Sequence, residues 1–154
     1  MSEPVKAAIR PFTPADYDAV LALWLRTPGM GLNDMDDSRE GVARYLRRNP
    51  GTCFVAEAEG VDGVAGAIMC GHDGRRGFIY HTCVASEVRY NGIGALLVGA
   101  ALDALRAEGI GKAALVVFSR NGGGNAFWER VGFTARTDIV YRNKALVSME
   151  RMET

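Results

Sequence analysis

The chain has 154 residues, 48% of them hydrophobic, which is enough for one sizeable core, and residues 1–154 are therefore predicted to form a single domain. Its 18 basic and 18 acidic side chains cancel, which excludes a global electrostatic field that would attract nucleic acid or an anionic membrane. No stretch approaches the ~20 apolar residues that span a bilayer, the N-terminus lacks an apolar signal core, and the cysteines form no CxxC pair. We therefore expect a cytoplasmic protein with reduced thiols and no metal site.

The N-terminal residues predict a strand followed by a helix. A short strand is expected at residues 7–10. Residues 13–16, TPAD, supply an N-cap, a proline in the first turn and a capping box, so a helix should start there. Apolar residues at the i, i+3, i+4, i+7 spacing give that helix one buried face: Tyr17, Val20, Leu21 and Trp24.

A loop and a second helix precede three strands. Residues 29–38, GMGLNDMDDS, have no periodicity and predict a loop, and Ser38 is expected to cap the second helix. The apolar runs 52–58, 64–71 and 78–85 are separated by the turn-prone stretches EGVDG and HDGRRG. They predict an antiparallel meander.

The remaining residues predict two helices and further strands. Residues 92–108 form the third helix, 112–119 a compact strand and 121–131 a short fourth helix. The C-terminal residues are typical either of one long strand or of a turn followed by a last strand, and the hairpin is favoured. The predicted fold class is α/β, a mixed and mostly antiparallel sheet of six to seven strands flanked by four helices on both faces.

The stretch RYNGIG places two glycines where the third helix begins. A helix N-terminus at the end of a strand offers unpaired N–H groups and roughly half a positive charge, and glycines let anionic oxygens approach closely. A plain turn is the alternative. The dinucleotide-binding fingerprint is excluded because its third glycine is missing, and the nucleotide P-loop is excluded because its lysine is missing. The predicted anion contacts come from Arg89, Tyr90, Asn91, Gly92, Ile93, Gly94 and Ala95.

The R-x-x-G-x-G pattern, after a strand ending YHTCVAS and before an amphipathic helix, resembles the acetyl-CoA signature of the GNAT N-acetyltransferase superfamily. Residues 121–133, NGGGNAFWERVGF, are similar to the second motif of that superfamily. More narrowly, NDMD at residues 33–36 and the HDGRRG turn resemble small bacterial acetyltransferases of the YpeA kind. The resemblance covers essentially the whole chain and implies a sheet splayed between its fourth and fifth strands.

The resemblance also implies how acetyl-CoA, the cosubstrate, is held. Its pantetheine arm would pair with the main chain of the fourth strand at Thr82, Cys83 and Val84, as an added strand would. The Val84 amide would face the thioester oxygen and stabilise the developing oxyanion. Asn121 and Trp128 would contact the cofactor from the opposite wall.

The implied reaction is direct attack of an amine on the thioester. Only about one lysine-like amine in a few thousand is neutral at pH 7, so a proton acceptor is needed. The positions of the family's base fall on Phe78 and Tyr80, and Trp128 replaces the usual tyrosine acid. Tyr80 and Tyr141 are therefore the catalytic candidates. His81 should point to the face opposite Tyr80, because side chains alternate along a strand, and is expected to be a hydrogen-bonded core or interface residue.

The acidic loop is the candidate acceptor site. Asn33, Asp34, Asp36 and Asp37 would complement an ammonium group, and one of these carboxylates could relay its proton through water. A solvated loop with Asp37 or Ser38 capping the next helix is an equal alternative. The predicted function is N-acetyl transfer to a primary amine of a small molecule or peptide. The alternatives are a non-catalytic acyl-CoA-binding sensor and an α/β binding module without a cofactor. No nucleic-acid or membrane partner is expected, and the sequence leaves open whether the chain forms a homodimer.

Overall fold

A computed structural model describes residues 5–152. Residues 1–4 and 153–154 lie outside the described part. The expectation that the N-terminus lacks an apolar signal core therefore falls partly on residues outside it. The strands and helices are β1 Ala7–Pro11, α1 Tyr17–Leu25, α2 Arg39–Arg48, β2 Phe54–Ala58, β3 Gly66–His72, β4 Gly77–Val84, α3 Ile93–Ala107, β5 Ala113–Leu115 and α4 Gly122–Arg130. One 3-10 turn, Pro14–Asp16, leads into α1, and another, Ser86–Val88, follows β4.

The sheet has the strand order β1-β2-β3-β4-β5. Neighbouring strands from β1 to β4 are antiparallel, which confirms the predicted meander, and β4 and β5 are parallel. The sheet is therefore mixed and mostly antiparallel, but within residues 5–152 it has five strands, and the prediction of six to seven was wrong.

The predicted C-terminal hairpin accounts for the difference. In the described part of the chain, residues 134–152 contain no strand, and their β pairing is limited to one isolated bridge between Asn33 and Arg151. The apolar groups that suggested a strand are exposed, with Val140 at 75% and Leu146 at 89%. Strand preference is expressed only where a side chain packs on a half-buried surface, and the three-residue β5 offers too short an edge for this.

The capping residues predicted from the sequence lie at the starts of α1 and α2. The Ser38 hydroxyl oxygen accepts a hydrogen bond from the Gly41 amide at 3.0 Å, as expected of the cap of α2. At the first helix, the Thr13 amide donates to the Asp16 carboxylate at 2.9 Å. A hydrogen-bonded Arg10 guanidinium lowers the pKa of Asp16, which keeps this carboxylate ionised as an acceptor.

Helices cover both faces of the sheet, as predicted. A Cβ on Gly66 would lie 3.0 Å from the Leu97 side chain of α3, and one on Gly71 would lie 2.5 Å from the Asn49 side chain at the end of α2. These glycines are five residues apart on one strand, so they face opposite sides of the sheet. The largest fully buried side chains include Trp24, Leu23, Leu32, Ile68, Ile93 and Leu97. Within residues 5–152, no helix has the length and apolar character needed to cross a bilayer.

Candidate active site

Strands β4 and β5 separate after a short parallel contact. Their register pairs Gly77 with Ala113 and ends where Ile79 pairs with Leu115. Among the described residues, β4 has no strand partner on this side beyond Ile79, so the main chain of residues 80–84 lines an open wedge. Such an edge can accept an extended ligand as an added strand.

The beginning of α3 lies beside the end of β4. A Cβ built on Gly94 would lie 3.7 Å from the Val84 side chain and 3.0 Å from the Phe127 ring of α4. Gly92 is the N-cap residue of α3, has a φ of 81° and provides no side chain to cap the helix. The first N–H groups of a helix lack intrahelical acceptors, so the amides of residues 93–95 remain available to an external anion.

The turn before α3 is held by its own side chains. Tyr90 has a φ of 66°, in the left-handed region that non-glycine residues seldom occupy, and its side chain is fully exposed. The Asn91 side chain accepts a hydrogen bond from the Val5 amide and donates to the carbonyl oxygens of Val88 and Arg89. A Cβ on Gly92 would meet no atom within 4 Å, so the space beside this turn is not filled by other atoms of the described protein. The residues present therefore fit a phosphate-bearing cofactor.

The other residues predicted to bind the cofactor differ in exposure and in their hydrogen bonds. The exposed Arg89 makes a long hydrogen bond from Nε to the Val84 carbonyl at 3.4 Å. Thr82 Oγ1 donates to the Tyr80 carbonyl at 3.1 Å, and Ala95 is exposed on the first turn of α3. The Cys83 thiol is buried, which raises its pKa to about 12, so this residue can offer the cofactor its main chain but no thiolate.

Asn121 and Trp128 were also predicted to contact the cofactor, and both make contacts within the protein at α4. The side-chain oxygen of Asn121 accepts a hydrogen bond from the Gly124 amide at 2.9 Å and caps α4, which leaves its amide group for other contacts. The half-buried Trp128 packs edge to face with Phe127 and Phe133, at centroid distances of 5.0 and 5.2 Å. These contacts stabilise α4 and the turn that follows it.

A cavity of about 550 Å³ lies next to the wedge, between the α1–α2 loop, α2 and strands β3 and β4. We call it the α2–β4 cavity. Its lining residues are Gly31, Asn33, Asp36, Asp37, Gly41, Arg44, Tyr45, Arg48, Met69, Tyr80 and His81.

The acidic loop contributes unequally to this cavity. Asn33 and Asp36 line it and are joined by a hydrogen bond of 3.0 Å between their side chains. Asp34 is not a lining residue. Its carboxylate accepts a hydrogen bond from the Glu150 amide at 2.7 Å, and its amide donates to the Glu150 carbonyl, so it holds the C-terminal segment.

A β-bulge changes which side chains of β4 reach the cavity. Tyr80 pairs with Met69 and Cys83 pairs with Ala67, so two β4 residues, His81 and Thr82, lie opposite a single β3 residue. Tyr80 and His81 therefore both line the cavity. The prediction that Tyr80 and His81 point to opposite faces was wrong, because side chains alternate strictly only along an unbroken pleat.

His81 is held by the buried carboxylate of Asp37, which the sequence predicted either as part of the acidic acceptor loop or as a helix cap. Its Nε2 atom lies 2.7 Å from Asp37 Oδ1, and the other Asp37 oxygen accepts a hydrogen bond from the Asn33 amide at 2.8 Å. The Asp37 side chain is only 4% exposed. The imidazole also packs edge to face with Trp24, with centroids 5.1 Å apart. The run NDMDD was the sequence signal, but nothing local distinguished its last aspartate.

The two tyrosines predicted as catalytic groups lie on different segments, Tyr80 on β4 and Tyr141 in the C-terminal residues. Burial, with smaller contributions from Tyr141 and Asp36, raises the pKa of Tyr80 above its ordinary value. The Tyr80 phenol therefore stays protonated near neutral pH, which suits a proton donor rather than a base. Tyr141 is 65% exposed on the C-terminal segment.

These features define a class of protein: an α/β fold whose sheet opens beside a bare helix N-terminus, with a second cavity next to the opening. A sequence profile of the acetyltransferase (GNAT) family matches residues 17–133. Acetyltransferase plu1384 of Photorhabdus laumondii is 31% identical over 144 residues, which cover 92% of this chain and 98% of that protein. The chain belongs to the GNAT acetyltransferase family, as the sequence motifs predicted.

Solved structures agree with this fold. The PaiA N-acetyltransferase from Thermoplasma acidophilum, in complex with coenzyme A, has a TM-score of 0.71 at 17% identity, over 85% of this chain and 91% of that one. AAC(6')-Iy in complex with a bisubstrate analogue has a TM-score of 0.70 at 18% identity, over 91% and 99%. The chain is thus an acyltransferase with acetyl-CoA as its cosubstrate, which supports the enzyme prediction over the sensor. The narrower resemblance to the YpeA kind stays a prediction.

Proposed function

We propose that this enzyme transfers the acetyl group to a primary amine of a small molecule or peptide by direct attack. The observation that carries the proposal is the continuity of the two spaces along β4. Tyr80 begins the unpaired edge of this strand and also lines the α2–β4 cavity. An amine in the cavity would therefore meet a thioester laid along that edge.

The cofactor side of the proposal uses main-chain groups. The amides of residues 93–95 and the turn at Gly92 would hold the diphosphate, with Arg89 at the rim. The edge at residues 82–84 would pair with the pantetheine arm. Acetyl-CoA supplies an acetyl group activated as a thioester, and Tyr80 or Tyr141 would provide a phenolic proton near the leaving group.

The acceptor side has the charge that an amine requires. Asp36 and Asp37 bring carboxylates to the α2–β4 cavity, and the Asn33 side chain adds polar atoms. Negative charge at this part of the wall favours the ammonium group of an acceptor. AAC(6')-Iy, whose fold is similar, is described as an aminoglycoside N-acetyltransferase, which supports a small amine as acceptor.

A thiol-release assay tests the proposal. Acetyl-CoA is incubated with the protein and with lysine, cadaverine, spermidine, phosphoethanolamine, ethanolamine or an unblocked tripeptide, and free coenzyme A is followed with a thiol reagent. We expect at least one amine to raise the rate well above the rate without amine. Mass spectrometry should show one added acetyl group on that amine. Tight binding of acetyl-CoA with no amine-dependent release would contradict the proposal and favour the sensor.

A further inference from the structure

Several contacts fix the orientation of the His81 imidazole. Its Nε2 atom contacts Asp37 Oδ1 at 2.7 Å, and the side chains of His81 and Asp37 are only 15% and 4% exposed. The second oxygen of Asp37 is held by the Asn33 amide. Trp24 of α1 packs edge to face against the ring. This arrangement fixes both the position and the rotation of the imidazole.

The same contacts determine which ring nitrogen carries the proton. An ionised carboxylate only accepts hydrogen bonds, so His81 Nε2 is the donor to Asp37. In the neutral imidazole the free lone pair is then on Nδ1. Within the described residues, that atom has no hydrogen-bond partner, and the ring lines the α2–β4 cavity.

Building on the proposed N-acetyl transfer, we infer that His81 accepts the proton of the acceptor amine and that Asp37 is its positioning residue. Nδ1 takes one proton from the acceptor ammonium and passes it to solvent. The freed nitrogen lone pair bonds to the thioester carbonyl carbon, and the carbon–sulfur bond breaks with its electron pair on sulfur. The departing thiolate takes a proton from the Tyr80 or Tyr141 phenol, and the second amine proton restores that phenol.

The position of His81 suits a proton relay. It precedes Val84 by three residues, or ~10 Å of strand, a distance that a side chain and one water can bridge. The other titratable or charged groups lining the cavity are Asp36, Asp37, Arg44, Tyr45, Arg48 and Tyr80. Burial raises the pKa of the Tyr45 and Tyr80 phenols, and an arginine side chain has donors but no acceptor, so neither the tyrosines nor the arginines suit the role of proton acceptor.

A kinetic test uses His81→Gln, which keeps a polar group of similar length beside Asp37 but cannot accept a proton in this pH range. With the amines of the thiol-release assay, kcat/KM should fall by about 10²–10⁴-fold. The decline of kcat/KM on the acid side should disappear, while the Kd for coenzyme A stays unchanged. His72→Gln is the matched control, because His72 is the other histidine of the chain and pairs with Glu108 outside the cavity.

A spectroscopic test is independent of turnover. With only two histidines in the chain, nitrogen-15 spectra of the free protein can be assigned by comparison with His81→Gln. We expect the neutral ring to carry its proton on Nε2, and Asp37→Asn to weaken that preference. A proton on Nδ1, or His81→Gln turning over within about threefold of the unaltered protein, would overturn the inference. Absence of amine-dependent turnover in the unaltered protein would overturn the proposed function itself.

A second inference concerns two arginines of α2. Arg44 and Arg48 are four residues apart, on the same face of the helix, and both line the α2–β4 cavity. In the described part of the chain neither forms a salt bridge or a side-chain hydrogen bond, whereas Arg10 and Arg39 are both paired. Two like charges one turn apart repel each other, so a ligand anion between them would relieve this repulsion.

We propose that the acceptor carries a carboxylate or a phosphate in addition to its amine. Two guanidinium groups can bind either oxyanion with several charge-assisted hydrogen bonds. Asp36 and the His81–Asp37 pair would then receive the amine in the same cavity. A cavity with both signs of charge thus selects an amino-acid-like acceptor over a simple polyamine.

Matched amines separate these cases in the thiol-release assay: lysine against cadaverine for a carboxylate, and phosphoethanolamine against ethanolamine for a phosphate. The anionic member of at least one pair should have a KM lower by about tenfold or more, and Arg44→Gln with Arg48→Gln should abolish that advantage. Arg47→Gln, exposed on α2 but outside the cavity lining, should leave it intact. Turnover confined to amines without an anionic group, or an equal effect of Arg47→Gln, would overturn this proposal.

Discussion

Gly94→Glu is expected to reduce the affinity for coenzyme A by on the order of 100- to 1,000-fold. The substitution places a carboxylate among the free amides at the start of α3, where the diphosphate is expected to bind. Two like charges a few ångströms apart near a protein surface repel each other by ~4 kcal/mol. Isothermal titration with coenzyme A gives the Kd directly, without an acceptor.

Two further variants separate charge from packing. Gly94→Ala adds only the Cβ, which would lie 3.0 Å from the half-buried Phe127 ring and require that ring to shift slightly. Gly99→Glu adds the same charge to the same helix at a position with no atom within 4 Å of the new Cβ. We expect Gly99→Glu to bind coenzyme A normally and Gly94→Ala to lose little affinity. Unchanged binding by folded Gly94→Glu would contradict the site at the start of α3.

Trp24→Ala is expected to lower the free energy of unfolding by ~3–5 kcal/mol, because it leaves a cavity beneath the loop that holds Asp37. Trp24 is fully buried in the hydrophobic core and also packs against His81. A loss of that size is a large fraction of the total stability of an ordinary domain, which is ~5–15 kcal/mol. Urea unfolding followed by circular dichroism measures it.

Trp24→Phe is the matched comparison. Among the described residues, the buried Trp24 Nε1 atom has no hydrogen-bond partner, so phenylalanine removes an unsatisfied donor as well as part of the ring. Its loss should therefore be clearly smaller than that of alanine. Trp128→Ala should also cost less, because Trp128 is only half-buried. Equal losses of unfolding free energy for Trp24→Phe and Trp24→Ala would contradict the expectation that the size of the cavity determines the loss.

Local sequence signals determined much of the fold. Ser38 predicted the start of α2, the turn stretches separated the three meander strands, and the glycines of RYNGIG predicted an uncapped helix start. Each of these signals depends on residues a few positions apart, because caps and turns are satisfied within one helical turn or one hairpin. The family signature lies in one of these stretches, so the acetyl-CoA assignment could be made from the sequence.

Tertiary structure alone decided the acceptor side and the C-terminus. The His81–Asp37 contact joins residues 44 positions apart and depends on a bulge in β4 that no local pattern indicated. Arg44 and Arg48 lie beside the same cavity only because of the way α2 packs against the sheet. The C-terminal residues had the alternation of a strand but no edge on which to pair. In each case the decisive interaction is with residues distant in sequence, and pairing across such distances depends on register and packing, which a single segment does not encode.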